Sequence, residues 1–452
     1  LVKGSSYSAN VILINKKTKI LNFNKKIIFY KKNKIIFNGT RFIKKIPLQN
    51  SIKNKIKFIS KKMPGLNSFF GIDFIIFKKK YYFLEINPRI TTSYKNIKKN
   101  IKIKTAKKIL NTLWYILKMR IIGWDIGGAH VKAIIIDFKK KKLKSSQIYC
   151  PIWKNLNNLK KAIKLTKKKL GKCDYHSVTM TAELSDAFIN RKRGSKYIIK
   201  LTSKILNTKK TFFYNKNKFI KKNIALKKTN INSLNWHAIG NFISNFYPNS
   251  ILVDIGSTTT DIIPIKNKKI ISKGSSDYKR LNYNELLYIG VIRSPIHAVE
   301  KKKKIIYENF ANLSDVYRIL NKIPKKNDLA PTLDNKDKNK HSNARRIARV
   351  YGKDYKKKDF ERWKKVASKI EKKQINILKK NISKIKKENF KNDVPIIGAG
   401  VGKFLLKDAC KKKKYYPFES NIKNTNSNKV VNCETAVSVA ILLKKYLKKI
   451  NN

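Results

Sequence analysis

Short apolar segments separated by polar breaks fill the first hundred residues and predict a β-rich region. Five of these segments have the length of a strand: residues 8–14, 25–30, 34–38, 71–77 and 81–85. Residues 51–62 and 105–118 instead place apolar side chains at the spacing of an amphipathic helix. We therefore expect a meander of the first three strands, a helix after it, a pair of strands joined by a turn, and a second helix that closes the region.

A different alternation begins near residue 121 and predicts strands interleaved with helices. The strands are expected at residues 123–125, 133–138, 177–180, 251–254, 261–265 and 394–397. The helices are expected at residues 156–170, 360–387 and 434–447, with another after residue 180 that carries Glu183 and Asp186. This order is typical of an α/β fold. We expect domains at 1–118 and 121–452, the second in two lobes of roughly 121–248 and 249–452.

Two of the predicted strands end in the same tripeptide, Asp-Ile-Gly. Each copy is followed by small or polar residues and by a further apolar strand. A glycine turn lets backbone N–H groups approach anionic oxygens, and the neighbouring carboxylate can orient a metal ion. The repeat predicts a duplicated fold that holds phosphate between its halves. The candidate phosphate-binding residues are Asp125, Gly127, Gly128, Lys132, Asp254, Gly256, Ser257, Thr258, Thr259 and Asp261.

The formal net charge of +81 is the ordinary signature of a nucleic-acid-binding protein. Lys provides nearly all of this charge along the whole chain, whereas Arg, the usual residue for bidentate phosphate contacts, is scarce. We therefore favour compositional drift in an AT-rich genome and do not expect nucleic acid as a partner. No apolar run reaches the ~18 residues that span a bilayer. The four cysteines form no Cys-x-x-Cys motif, so we expect a cytoplasmic protein.

Three oxygen-bearing side chains lie on two neighbouring strands predicted in the first region. Glu85 and Asn87 are two residues apart and share one strand face, and Asp73 lies on the preceding strand. If the two strands pair, these side chains converge as hard ligands for Mg²⁺. Arg89 adds a fixed cation for a phosphate or a carboxylate. We expect a metal site at Asp73, Glu85 and Asn87, the alternative being an ordinary capped strand.

The string Glu85-Ile-Asn-Pro-Arg89 resembles the metal strand of ATP-grasp ligases, and residues 4–100 look like the C-terminal part of such a domain. The continuation from Arg89 is similar to the tyramine–glutamate ligase branch of methanofuran biosynthesis. The resemblance implies ATP-dependent acyl-phosphate formation on a glutamate carboxyl, followed by amine attack. The half that clamps ATP is missing from this sequence, which starts as if in mid-domain. We expect an upstream segment or a separate chain to carry it.

A glycine-rich segment after a late strand completes a three-part arrangement. It contains Gly398, Gly400 and Gly402. Together with the two Asp-Ile-Gly turns, it resembles the actin, hexokinase and heat-shock ATPase superfamily. The resemblance implies that the first two elements face phosphates and metal, whereas the glycine-rich turn approaches an adenosine. The alternative is that all three are only tight turns between strands and helices.

Further motifs resemble one narrower family. They lie at residues 123–132, 150–153, 178–186, 235–238, 254–261 and 290–295. This family is the hydantoinase/oxoprolinase-related proteins of tetrahydromethanopterin-linked one-carbon transfer, whose archaeal members are similar to methanofuran synthase. The resemblance implies that the phenol oxygen of a γ-glutamyl-tyramine or -tyrosine displaces diphosphate from an aminomethylfuran diphosphate. It also implies Mg²⁺ or Mn²⁺ at the departing diphosphate.

The implied reaction needs a cation at the phosphates and a base for the phenol proton. Arg293 is the candidate phosphate clamp. The candidate bases are Glu183, Asp186, His130 and His237. His237 follows a Trp, and a His beside an aromatic residue is more often a packing residue. Glu183 and Asp186 are equally compatible with a solvated pair on one helix face.

Other functions remain open at this point. The second domain could be an ATP-dependent hydrolase of the hydantoinase/oxoprolinase type or a small-molecule kinase, and ATP turnover without a furan substrate would favour that alternative. A Lys-rich nucleic-acid-binding protein would show tight, steeply salt-dependent binding. The first domain could also be a vestigial ligase. A homo-oligomer is compatible with all of these functions.

Overall fold

A computed structural model of the chain describes residues 4–451 with several gaps. The gaps are residues 15–16, 32–33, 64–67, 90, 92, 94–95, 98–118, 228–230, 302–304, 411–413 and 423–431. The chain divides into two compact units, one of residues 1–118 with 444–452 and one of residues 119–443. The helix expected at residues 105–118 lies outside the described residues.

A five-stranded antiparallel sheet forms the first unit. In the order β3-β2-β1-β4-β5, its strands are β1 (Ser5–Ile14), β2 (Lys17–Lys31), β3 (Lys34–Ile43), β4 (Ser68–Phe77) and β5 (Lys80–Asn87), and its helix is α1 (Gln49–Lys62). The helix buries Ile52 and Ile56 in a core shared with Val11, Phe70 and Ile72. The three-stranded meander, the helix that follows it and the later pair of strands are therefore confirmed, and β4 pairs with β1.

The second unit begins with a six-stranded mixed sheet in the order β11-β10-β9-β6-β7-β8. Its strands are β6 (Arg120–Ile126), β7 (His130–Asp137), β8 (Lys142–Tyr149), β9 (Tyr175–Met180), β10 (Thr211–Asn215) and β11 (Lys218–Ile220). The helices are α2 (Asn157–Leu170), α3 (Arg191–Leu206) and α4 (Lys222–Lys227), with a 3₁₀ helix at Ala182–Leu184. Strand β6 is apolar from Ile121 to Trp124 because both faces are covered there, and Ile122, Trp124 and Ile126 are fully buried.

A second sheet follows in the order β14-β13-β12-β16-β17, with β15 paired to β13. Its strands are β12 (Ser250–Ile255), β13 (Thr260–Lys266), β14 (Lys269–Ile270), β15 (Leu286–Leu287), β16 (Ile396–Ala399) and β17 (Tyr415–Pro417). The helices are α5 (Asn235–Ile243), α6 (Asp277–Asn282), α7 (Leu313–Ile319), α8 (Lys340–Val350), α9 (Phe360–Asn389), α10 (Phe404–Ala409) and α11 (Glu434–Asn451). The long helix α9 exposes its lysines and buries Trp363, Ile370 and Leu378 in the core.

The two sheets are built on equivalent hairpins. In the first, β6 runs antiparallel to β7 and the Gly127 N–H donates to the His130 carbonyl at 3.0 Å. In the second, β12 runs antiparallel to β13 and the Gly256 N–H donates to the Thr259 carbonyl at 2.8 Å. Each leading strand also pairs in parallel with a later strand, β9 or β16. The fold is therefore α/β, with two sheets built on the same plan, as the paired turns predict.

Candidate active site

One cleft of about 690 Å³ in the second unit receives both Asp-Ile-Gly turns. The predicted residues that line it are Asp125, Gly127, Gly128, His130, Lys132, Asp186, Asp254, Gly256, Ser257, Thr258, Thr259, Asp261, Arg293 and Gly400. Glu434 and Thr435, at the N-terminal end of helix α11, also line the cleft. The turns therefore share a single cavity, which is the arrangement that phosphate binding between two halves requires.

Hairpin register decides which charges meet on the floor of this cleft. In the first hairpin Asp125 lies opposite Lys132, and in the second Asp254 lies opposite Asp261. The first hairpin therefore carries its own counter-charge, whereas the second places two carboxylates side by side. Like charges at this separation disfavour full ionisation unless a cation joins them.

The pKa values of the floor carboxylates follow from this arrangement. Burial, reinforced by the negative charges of Glu434 and Asp261, raises the pKa of Asp254 to about 8. Burial also raises the pKa of Asp125, although Lys132 opposes the shift. The Oδ1 atom of Asp125 is buried and has no hydrogen-bond partner among the described residues. The described side chains thus leave these carboxylates short of positive charge.

Arg280 provides the counter-charge for Asp261. Its guanidinium is buried, donates from Nη1 to Asp261 Oδ1 at 2.6 Å and from Nη2 to the Glu285 carbonyl at 2.9 Å. It also lies over the Trp236 ring, 4.1 Å from the centroid. Asp261 is therefore committed to an internal ion pair, while Asp125 and Asp254 are the carboxylates left for a ligand.

Replacing Arg280 by Gln is expected to destabilise the protein by about 3–5 kcal/mol, because it leaves the Asp261 carboxylate buried without its partner. Urea unfolding of the full chain measures this loss. The double variant with Asp261→Asn should recover part of it, since the uncompensated charge is then removed. Arg349→Gln, at an exposed position on α8, is the matched control. An Arg280→Gln variant as stable as that control would contradict the prediction.

The segment 290–294 fixes the second turn from the side. The Arg293 N–H donates to the Ser257 carbonyl at 2.8 Å, and the Ser294 hydroxyl donates to the Thr258 carbonyl at 3.2 Å. A Cβ at Gly290 would overlap the backbone of Ser257 and Thr258, so glycine is required for this close approach. The Arg293 guanidinium extends to Trp153, where it lies 4.7 Å from the ring centroid.

The candidate bases do not share one location. His130 and Asp186 line the cleft, whereas Glu183 and His237 are not among its lining residues. The expected helix with Glu183 and Asp186 on one face is wrong, because the local structure is a single 3₁₀ turn that ends at Leu184. The polar Thr181 and Ser185 flank this turn, and Asp186 lies beyond it in the loop.

Their surroundings separate these bases further. Glu183 is buried, accepts a hydrogen bond from the Ser233 hydroxyl at 2.8 Å, and has its pKa raised by burial. His237 bonds through Nδ1 to the Tyr214 hydroxyl at 2.9 Å. Burial, with Lys132 and Arg293 nearby, lowers the pKa of His130 to about 3, and its Nε2 has no described partner. His130 is therefore a neutral imidazole with little affinity for a proton.

The three glycines of the late segment have different roles. Gly400 lines the cleft, has a φ of 81° and donates its N–H to Glu434 Oε1 at 3.3 Å. A Cβ at Gly398 would overlap Tyr415, and one at Gly402 would overlap Ile255, so these two glycines permit close packing behind the cleft. Among the three, Gly400 is the one placed to meet a ligand.

The sequence signals for two site residues were weak. Glu434 begins a helix whose pattern is apolar, and only its position after the glycine-rich segment could have marked it. Arg280 lies in an ordinary polar stretch, Asp277-Tyr-Lys-Arg280, and no motif distinguishes it. Both become functional candidates only when the fold brings them to the Asp-Ile-Gly carboxylates.

The carboxylates of the cleft are also the candidate ligands for a metal ion. No three His, Cys, Asp or Glu side chains among them are placed to hold a metal ion by themselves. Asp125 Oδ1 nevertheless has no hydrogen-bond partner among the described residues, and the pKa of Asp254 is raised. A nearby cation would stabilise both carboxylates in their ionised form. This donor set fits a hard ion that keeps several waters and arrives with phosphate oxygens, which is the habit of Mg²⁺.

In the first unit, Asp73 and Glu85 lie opposite each other on β4 and β5, and Asn87 donates to Glu85 Oε1 at 2.9 Å. The three side chains therefore lie together along these strands as expected. Lys26 forms an ion pair with Asp73. Burial raises the pKa of Asp73, and this ammonium opposes the shift. A metal ion here would have to displace Lys26, so the metal role of these residues stays a prediction.

Comparison with known proteins places the chain among enzymes. An ATP-grasp domain profile matches residues 1–93, and a hydantoinase/oxoprolinase profile matches residues 174–415. A protein of Methanocaldococcus jannaschii is 33% identical over 342 residues, which are 74% of this chain and all of that protein. A Methanococcus vannielii protein is 34% identical over 217 residues, 46% of this chain and 96% of the relative. Both are named (4-{4-[2-(gamma-L-glutamylamino)ethyl]phenoxymethyl}furan-2-yl)methanamine synthase.

The chain belongs to this synthase family. The expected fusion of an ATP-grasp region with a hydantoinase/oxoprolinase-related region is also confirmed. Solved structures with a similar course of the chain include nucleotide-free acetone carboxylase, at 9% identity and a TM-score of 0.48, with 72% of this chain and 70% of that chain covered. A ROK family glucokinase from Streptomyces griseus follows at 10% identity and a TM-score of 0.39, covering 72% and 98%. Among the described residues, no helix combines the length and apolar character needed to cross a membrane.

Proposed function

We propose that residues 121–452 join an aminomethylfuran diphosphate to the phenol of a γ-glutamyl-tyramine or -tyrosine. The phenol oxygen forms a bond to the furylmethyl carbon, the carbon–oxygen bond to diphosphate breaks, and its electron pair leaves with diphosphate. The product would be an aryl furylmethyl ether, the class of compound that the relatives' printed name describes. The observation that carries the proposal is the shared cleft with both Asp-Ile-Gly turns, in a chain that spans the whole length of a synthase relative.

The leaving group gains most of the negative charge, so the cleft must stabilise departing diphosphate. The Gly127 and Gly256 N–H groups already close the hairpins, so the other amides of the two turns and the ammonium of Lys132 are suited to this, and Ser257 and Thr258 add neutral donors. A divalent ion such as Mg²⁺ would supply further positive charge to the diphosphate when bound. Asp125 and Asp254 are the residues that would hold it.

The phenol proton must leave as the ether bond forms. Of the four candidate bases, His130 and Asp186 are those that line the cleft. His130 is already neutral at physiological pH, because its pKa is about 3, and its free Nε2 can accept a hydrogen bond from a phenol. We propose that this hydrogen bond orients the phenol oxygen toward the furylmethyl carbon and that the proton passes to solvent water, because an imidazole with this pKa binds a proton too weakly to keep it.

The first unit has a separate role in this proposal. We place this unit at residues 1–118. The transferase then occupies residues 121–452, in two lobes near 121–248 and 249–452. Its ATP-grasp match and the Asp73–Glu85 pair support descent from a ligase that makes the γ-glutamyl substrate. We propose that it is vestigial, or that a separate chain supplies the ATP-clamping half and ATP is used there. Fusion would then raise the local concentration of the intermediate.

The test uses the full chain with Mg²⁺, an aminomethylfuran diphosphate and γ-glutamyl-tyramine. Mass spectrometry should detect the ether, and released diphosphate should equal it in amount. The reaction should not require ATP, because the leaving group is already present on the furan. Hydrolysis of ATP without any furan substrate, and no ether, would instead favour a hydrolase of the hydantoinase/oxoprolinase type.

A further inference from the structure

Four exposed side chains define the mouth of the cleft among its described lining residues: Trp153, Asp186, Tyr288 and Arg293. Two are aromatic, with 38% of Trp153 and 51% of Tyr288 accessible to solvent. The other two are of opposite charge. The mouth therefore combines flat apolar surface with one cation and one anion, unlike the acidic floor below it.

The two charged side chains at the mouth of the cleft have no oppositely charged partner among the described residues. Elsewhere in the lining, Asp261 pairs with Arg280, and Asp277 pairs with Arg191 at 3.5 Å. Within the described part of the chain, neither Asp186 nor Arg293 takes part in an ion pair. The Arg293 guanidinium rests on the Trp153 ring at 4.7 Å, which leaves its N–H edge for a ligand.

Backbone contacts bring these residues around Gly128 of the first turn. The Ile152 N–H donates to the Gly128 carbonyl at 3.2 Å. A Cβ at Gly128 would lie 3.9 Å from side-chain atoms of both Ile152 and Ser185. Trp153 and Asp186 follow those two residues directly in the chain, and both line the cleft together with the Arg293 guanidinium that lies over Trp153.

We propose that Arg293 and Asp186 bind the α-carboxylate and the α-ammonium of the γ-glutamyl group, with Trp153 as the platform beneath them. This assignment rests on the proposed function, because the γ-glutamyl end belongs to the phenolic substrate. A guanidinium matches a carboxylate in bidentate geometry, and a carboxylate matches an ammonium. The pair therefore selects a zwitterionic amino acid, which neither diphosphate nor a simple phenol carries.

The same guanidinium was expected from the sequence to clamp phosphate, and its position favours the acceptor. It lies at the exposed mouth, whereas the turn amides, Lys132 and the unpaired carboxylates lie on the floor. The floor already collects the groups that diphosphate and its metal need. Arg293 and Asp186 then determine which phenol is accepted, and they act on acceptor KM more than on kcat.

Truncated acceptors test each contact separately in the full chain. Arg293→Gln should raise the KM for γ-glutamyl-tyramine about 10- to 100-fold. It should leave the KM for 4-aminobutyryl-tyramine, which lacks the α-carboxylate, unchanged. Asp186→Asn should raise the KM for γ-glutamyl-tyramine and not for glutaryl-tyramine, which lacks the α-ammonium. Arg349→Gln and Asp354→Asn, at exposed positions away from the cleft, are the charge-matched controls.

Calorimetric titration of γ-glutamyl-tyramine without any furan substrate gives a readout that does not depend on turnover. Wild-type protein should bind it, and Arg293→Gln should lose that binding by a similar factor. The assignment is overturned if wild-type protein does not bind this compound, or if Arg293→Gln instead raises the KM for the furan diphosphate with every acceptor. Binding that depends on Arg293 in a protein that forms no ether would refute the reaction but keep the subsite.

Discussion

Asparagine in place of Asp254 is expected to abolish ether formation and, at the same time, to stabilise the empty protein at pH 8. The activity loss should be at least 10²- to 10³-fold, the usual effect of removing one group that stabilises charge in a transition state. Asn keeps the shape of the side chain but cannot hold a cation beside the diphosphate. Initial rates of diphosphate release at saturating Mg²⁺ measure this loss.

The gain in stability follows from the raised pKa of Asp254. The folded protein keeps its proton up to about pH 8, whereas the unfolded chain releases it near the ordinary value of 3.8. The unfolded state therefore binds fewer protons between these values, and the free energy of unfolding falls as pH rises through that window. Asn cannot ionise, so the free energy of unfolding of the variant does not decrease in this way as pH rises. Its melting temperature should exceed that of wild type by several degrees at pH 8 and by little at pH 4.

Asp354→Asn, at an exposed position, is the control for the loss of an aspartate and should shift neither melting curve. Adding Mg²⁺ with pyrophosphate should raise the melting temperature of wild type but not of Asp254→Asn, since only the ionised carboxylate gains from the cation. A variant that melts below wild type at pH 8 would show that Asp254 is stabilised as an anion, contrary to the proposed electrostatics.

The duplicated core could be predicted from the sequence because it depends on local patterns. Apolar strands that end in Asp-Ile-Gly predict hairpins with tight turns, and the matching bonds at Gly127 and Gly256 are the physical consequence. In the first unit, the meander β1-β2-β3 and the hairpin β4-β5 were equally accessible, because the strands that pair within each follow one another in sequence, whereas the pairing of β1 with β4 joins distant segments. The residues that these turns place on the cleft floor, Asp125 and Asp254, followed directly from the motif.

Contacts between distant parts of the chain could not be predicted in the same way. Glu434 reaches Asp254 only because helix α11 returns beside β6, where a Cβ at Gly123 would overlap the Ala436 carbonyl. Arg280 became a site residue through its pairing with Asp261 across β13 and α6. The misassigned helix at Glu183 has a local cause: its polar pattern fits a helix, but the chain turns after Leu184 to bring Asp186 to the cleft.

The acidic residues of the cleft also bear on whether this Lys-rich chain could bind nucleic acid there. Of the 26 acidic residues in the chain, six line this one cleft: Asp125, Asp186, Asp254, Asp261, Asp277 and Glu434. A nucleic-acid backbone would meet these carboxylates without a compensating metal, so the cleft is a poor site for a polyanion. The carboxylates instead suit a small anion that brings its own divalent cation.

Replacing Gly400 by Ala is expected to abolish activity, because the added methyl group would displace the Asp254 carboxylate. Gly400 has a φ of 81°, and a Cβ there would overlap both the Ile255 carbonyl and Asp254 Oδ1. The backbone conformation alone costs an alanine roughly 1–2 kcal/mol. The overlap adds about 1–3 kcal/mol more and forces the carboxylate from its position.

Gly352→Ala separates these two costs. Gly352 also has a positive φ, 64°, but a Cβ there would lie 3.6 Å from Ile306 Cδ1, an ordinary contact. It should therefore lose only the backbone contribution and keep full activity, whereas Gly400→Ala should lose more stability and at least 10²-fold in diphosphate release. Equal stability and equal activity in the two variants would mean that the close approach of Gly400 to Asp254 has no part in catalysis. The comparison thus tests whether the late glycine turn acts on the reaction through the floor carboxylate, rather than through a nucleotide that the ether-forming step does not need.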